Sequence, residues 1–156
     1  MKTQLKITSV FAAVLLAANS LFAHGGVELG PNGGRILEFS KDETMHGEVT
    51  AKDGKFHIAL LDKDMKPVAL GDQVLTVTAG DRDKPTKVEV TKADGKFVVP
   101  MQKGEAYWVI FQFKPSAKSK PVTARLHYNA ENCSECNSPE WLCKCPAEGE
   151  AKSKKK

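Results

Sequence analysis

Several things are scarce in this chain. Aromatic residues make up 7% of 156 positions, and no cysteine occurs before Cys133. With so few rings, a polysaccharide-binding face has too little to stack on. No GxSxG, HExxH, dinucleotide fingerprint or phosphate loop occurs, so the chain reads as a non-enzyme. The net charge is +4, but Lys2 and Lys6 lie in a leader and Lys152, Lys154, Lys155 and Lys156 form a terminal run. A nucleic-acid partner would need a basic stripe on a folded face, and none is visible.

The leader itself has two lysines, an apolar stretch from Val10 to Ala18, a polar step at Asn19 and Ser20, and a small residue at Ala23. This is the layout of a secretory signal peptide, and the stretch is short for a membrane span. Cleavage is expected after Ala23, with Ser20 as the alternative cut. No cysteine follows to carry a lipid, and no later segment is apolar enough to be transmembrane. The mature chain is therefore expected to be periplasmic or secreted, in an oxidising compartment.

From Arg35 to Tyr128 short β-rich runs alternate with turn clusters, and no helical period persists. The runs are Arg35 to Phe39, Glu48 to Ala51, Lys55 to Leu61, Val74 to Ala79, Lys87 to Thr91, Lys96 to Pro100, Tyr107 to Phe113 and Val122 to Tyr128. Phe56, Ile58 and Leu60 share one face of their run, with His57 and Ala59 on the other. Ala124 and Leu126 likewise oppose Thr123, Arg125 and His127. Such alternation belongs to antiparallel sheets with one wet face. About eight short strands over about 100 residues predict an all-β, immunoglobulin-like sandwich, with a small barrel as competitor. The expected organisation is a signal peptide over 1–23, an N-terminal segment and glycine turn over 24–34, the sandwich over 35–129, a cysteine-rich cap over 130–146 and a disordered lysine-rich tail over 147–156.

Chemistry concentrates in Cys133, Cys136, Cys143 and Cys145. Four thiolates can close a tetrahedral shell around zinc, and a CxxC turn curls two sulfurs toward one ion. The CxC half is tighter than a zinc ribbon's, and soft thiolates suit Cu(I) equally, so zinc or copper is the expected ion. An oxidising compartment equally favours two disulfides stapling the cap, and both readings stand. Trp141 and Leu142, between the pairs, are expected to anchor the cap against the sheet.

Cleavage after Ala23 would make His24 the first residue, where its free amine and imidazole Nδ1 chelate Cu(II) or Zn(II). Further ligand candidates are Met45 and His46 in a turn and the wet-face His57 and His127. Otherwise His24 is a frayed terminus and the remaining histidines face solvent. The segment from Gly30 to Arg35 reads as a tight turn in which glycine supplies positive φ.

The run HGGVELGPNGGRILEF, the KPV turn and the segment PMQKGEAYWVIFQF resemble the small all-β domain found in or beside periplasmic adaptor proteins of heavy-metal cation efflux pumps. The likeness covers His24 to Tyr128. In those domains a Gly-Pro-x-Gly-Gly-Arg turn follows a histidine-bearing stretch. Here Asn32 stands where histidine would be expected, and the adaptor's coiled-coil hairpin and lipoyl-like halves are missing. The resemblance implies a stand-alone periplasmic domain that handles metal cations beside an efflux system, with an efflux or envelope protein as partner. The N-terminal histidine is also similar, in that single feature, to copper monooxygenases acting on polysaccharides.

Overall fold

The computed structural model describes residues 27–145. The leader, His24 and the lysine-ended tail lie outside them. Among the described residues ten strands occur in order: β1 (Arg35–Glu38), β2 (Met45–Lys52), β3 (Lys55–Asp62), β4 (Pro67–Val68), β5 (Val74–Gly80), β6 (Thr86–Val88), β7 (Thr91–Ala93), β8 (Lys96–Pro100), β9 (Ala106–Lys114) and β10 (Val122–Asn129). A 3-10 turn, Glu140–Leu142, follows. The protein is all-β, as its alternation predicts.

Two of the hairpins are written plainly in the sequence. Lys52 pairs with Lys55 and Ala93 with Lys96, leaving Asp53-Gly54 and Asp94-Gly95 as two-residue loops. All four loop residues have positive φ, as a type I′ turn requires, and its twist matches that of the strands it joins.

The strands form two antiparallel sheets. The first runs β1-β2-β3-β8-β7 with β4 beside β3, and the second runs β10-β9-β5-β6. This two-sheet antiparallel layout is the part of the immunoglobulin-like expectation that the topology carries. Between the sheets lie Phe39, Phe56, Ile58 and Phe97 from the first layer and Val77, Val109, Phe111, Phe113 and Leu126 from the second. Phe39 stacks on Phe113 with centroids 4.8 Å apart. A side chain at Gly47 would collide with the Phe39 ring, so glycine there lets the ring reach the core.

Two elements depart from expectation. The run from Lys87 to Thr91 is not one strand, because β6 pairs with β5 in one sheet and β7 with β8 in the other. The chain changes layers at Glu89-Val90. Val88 goes into the core while the β7 residues are exposed, so continuous β character concealed a crossover. Between the runs Lys55 to Leu61 and Val74 to Ala79, where no strand was expected, Pro67 begins β4, which lies on the edge of β3. Proline is tolerated there because an edge strand has one unpaired side.

The two outer faces differ. On the first sheet Ile36, His46, Glu48, Leu61 and Val98 are buried although they point away from the inter-sheet core. The segment before β1 lies over this face, with Asn32 bonded to Glu48. On the second sheet Trp108, Gln112, Thr123, Arg125 and His127 are exposed.

Candidate metal centre

The cap starts where β10 ends. Glu140 N–H donates to the Glu131 carbonyl at 2.8 Å, and Asn132 bridges to Pro139, closing a loop. Inside it Cys133 N–H donates to Ser138 O at 2.8 Å and Asn137 N–H to Cys133 O at 2.9 Å. Asn137 sits at φ 55°, a left-handed position that asparagine accepts more readily than most residues. This curl turns the Cys133 and Cys136 side chains together. The 3-10 turn then reverses the chain, with Cys143 N–H bonded to Glu140 O at 3.1 Å, and returns Cys143 and Cys145 to the same point.

All four sulfurs lie within 4.8 Å of one another. Cys136 and Cys143 are 3.5 Å apart, and Cys133 and Cys145 are 4.0 Å apart. A tetrahedron of sulfurs with bonds of about 2.3 Å to a central zinc has edges of about 3.8 Å. The quartet therefore has the dimensions of a four-thiolate shell, and none of the four is in a disulfide. The CxC half also delivers both its sulfurs, and its tightness lets Cys145 N–H donate to Cys143 Sγ at 3.4 Å.

The thiols are not equivalent. Cys133 and Cys143 are buried, Cys145 is half-buried and Cys136 is exposed. The backbone N–H of Ser138, then the Cys143 thiol and the Ser138 side chain, hold the Cys136 thiol down at about 7. Cys145 is pushed up, first by Cys143 and then by Cys136. At Cys143 the Cys145 N–H pulls downward, but the neighbouring sulfurs and burial outweigh it and the net shift is upward. Like charges this close cannot all be borne together, so full ionisation of the quartet calls for a cation among the sulfurs.

Trp141 fastens the cap. It is 5% exposed and belongs to the core, meeting Phe56 edge-on at 6.1 Å and Tyr128 at 5.7 Å. Its carbonyl accepts a bond from Arg35 Nη1 at 3.1 Å. Leu142 packs against the same core. The anchoring role read from their position between the cysteine pairs therefore holds.

The histidines take a different course. His46 is not in a turn and does not face solvent: it lies in β2, 5% exposed, with Nδ1 3.0 Å from Glu38 Oε1. Strand β2 begins at Met45, three residues before the run Glu48 to Ala51 read from the sequence, and this carries His46 into the sheet. His57 is half-buried in β3, and His127 lies 4.8 Å from the Trp108 ring on the second sheet. Among the described residues none of these three joins a cluster of metal donors.

Sequence reasoning missed Glu48. Its carboxylate, 1% exposed, accepts from Asn32 N–H at 2.7 Å, Asn32 Nδ2 at 2.6 Å and Gly34 N–H at 3.0 Å. Asn32 thus has a structural task in the turn, binding Glu48 through its amide. The sequence signal was indirect: a glycine turn exposes N–H donors that need an acceptor when covered.

No known protein family, characterised protein or solved structure was found to match the chain. Among the described residues no helix is long and apolar enough to cross a membrane.

Proposed function

We propose that this protein is a non-catalytic metal-binding accessory protein of the periplasm, holding one soft or borderline cation, zinc or Cu(I), on Cys133, Cys136, Cys143 and Cys145. The observation that carries the reading is the convergence of four sulfurs to within 4.8 Å on a hydrogen-bonded cap. Thiolates favour such ions over hard cations. The exposed Cys136 is the sulfur through which a ligand from another protein can enter, allowing exchange of the ion. The leader's layout and the likeness of His24 to Tyr128 to efflux-adaptor domains support a place beside a heavy-metal efflux or resistance system. His24 is proposed as a second, independent Cu(II) or Zn(II) ligand.

The test is purification of the untagged mature protein from the periplasm, with free thiols counted and bound metal measured. One equivalent of zinc or copper, lost on Cys136→Ser, supports the proposal. Metal-free protein with no free thiols would replace it with an envelope interaction module stapled by two disulfides.

A further inference from the structure

The open face of the second sheet carries a feature that the metal site does not use. Lys87, Thr78, Ile110 and Arg125 stand in register across β6, β5, β9 and β10, and the neighbouring row places Trp108 beside His127. No aspartate or glutamate occurs among the strand residues that face outward here. At one end Asp81, Arg82, Pro85, Trp108, Ile110 and Arg125 enclose a pocket of about 500 Å³, a size that accepts a bulky side chain with its neighbours. Trp108 is 38% exposed. Neither Arg82 nor Arg125 is in an ion pair among the described residues.

We propose that this pocket is a docking site for an extended acidic segment of a partner protein, anchored by one aromatic or branched aliphatic side chain. The apolar wall of Trp108, Ile110 and Pro85 takes the anchor, and Arg82 and Arg125 take flanking carboxylates in the bidentate geometry that guanidinium favours. Tryptophan and arginine are the residues most often dominant at binding interfaces. The Asp81 carboxylate can accept a peptide N–H, a donor that a phosphate backbone lacks, so a protein segment fits the pocket better than a nucleic acid. The chain from His127 to Cys133 spans at most about 20 Å, so a docked partner lies near the sulfur quartet. The docking itself does not depend on metal.

The probe is a blocked pentapeptide, Asp-Glu-Phe-Asp-Glu, titrated into the reduced mature protein and followed by the indole N–H resonances of its two tryptophans. The Trp108 signal is expected to shift and that of buried Trp141 to stay. Arg125→Gln and Trp108→Ala should each weaken binding about tenfold or more, with the remaining spectrum showing an intact fold, and added salt should weaken it further. Cys136→Ser should leave it unchanged, which separates this result from failure of the metal site. Equal binding of a Lys-Arg-Phe-Lys-Arg peptide, indifference to both variants, no shift of Trp108, or preferential binding of a single-stranded oligonucleotide or of phosphatidylglycerol vesicles would each overturn the proposal.

Discussion

Arg35 Nη1 donates to the carbonyl of Trp141 at 3.1 Å. One residue opens the first strand after the glycine turn and the other sits between the two cysteine pairs. This bond and the packing of Trp141 on Phe56 and Tyr128 make the cap part of the sandwich. The sulfur geometry therefore inherits the rigidity of the core.

Truncating that anchor should be felt in both stability and metal binding. Trp141→Ala is expected to cost about 3–5 kcal/mol, the usual range for emptying a large buried aromatic site, and to weaken metal affinity. Arg35→Gln should cost about 1 kcal/mol. Urea unfolding curves measure both, and a Trp141→Ala protein as stable as the parent would show that the cap is independent of the core.

Each cysteine is expected to matter to the ion. Cys143→Ser should lower zinc affinity by more than about 100-fold, since losing a mere hydrogen-bond partner of a ligand costs about 10–100-fold. Acidification should release the metal, because protons compete for the thiolates. Competition with a chromophoric chelator across pH reads both effects. Affinity that does not vary with pH would argue against thiolate ligands.

The Glu48 carboxylate organises the turn before β1. Glu48→Ala leaves the buried Gly34 N–H without its acceptor, with an expected loss of about 1–3 kcal/mol. In Gly34→Ala the new Cβ would meet the Val49 carbonyl oxygen at 2.5 Å, costing about 1–3 kcal/mol by overpacking. Thermal unfolding of the two variants decides it.

Asp62 closes the β3–β4 turn. The N–H of Lys66, followed by that of Asp64, holds its carboxyl below the ordinary 3.8, and both bonds measure 2.9 Å. Because the folded value is depressed, the stabilisation is present above the unfolded value and is lost as pH falls through the folded one. The Tm gap between the parent and Asp62→Ala should be widest near neutral pH and narrow below 3.8. A gap that widened on acidification would contradict this.

If cleavage frees the amine of His24, one extra residue placed before it should weaken Cu(II) binding sharply while leaving zinc on the cysteines untouched. Intact mass and copper titration provide the measurement.

Much of the molecule was legible before folding was considered. Alternation such as that of Phe56, Ile58 and Leu60 against His57 and Ala59 determined that the stretch from Arg35 to Tyr128 is β, because period two places every second side chain on one face. The Asp-Gly pairs determined two hairpins, since positive φ at both loop residues is a local property. Four cysteines within thirteen positions marked the site by themselves. Tertiary structure decided the rest: that β6 and β7 belong to different sheets, that His46 is buried beside Glu38, that Glu48 holds the glycine turn, and that the CxC sulfurs meet those of CxxC. Each of these depends on residues distant in sequence meeting in space, and local preference carries no record of the neighbour a side chain will find.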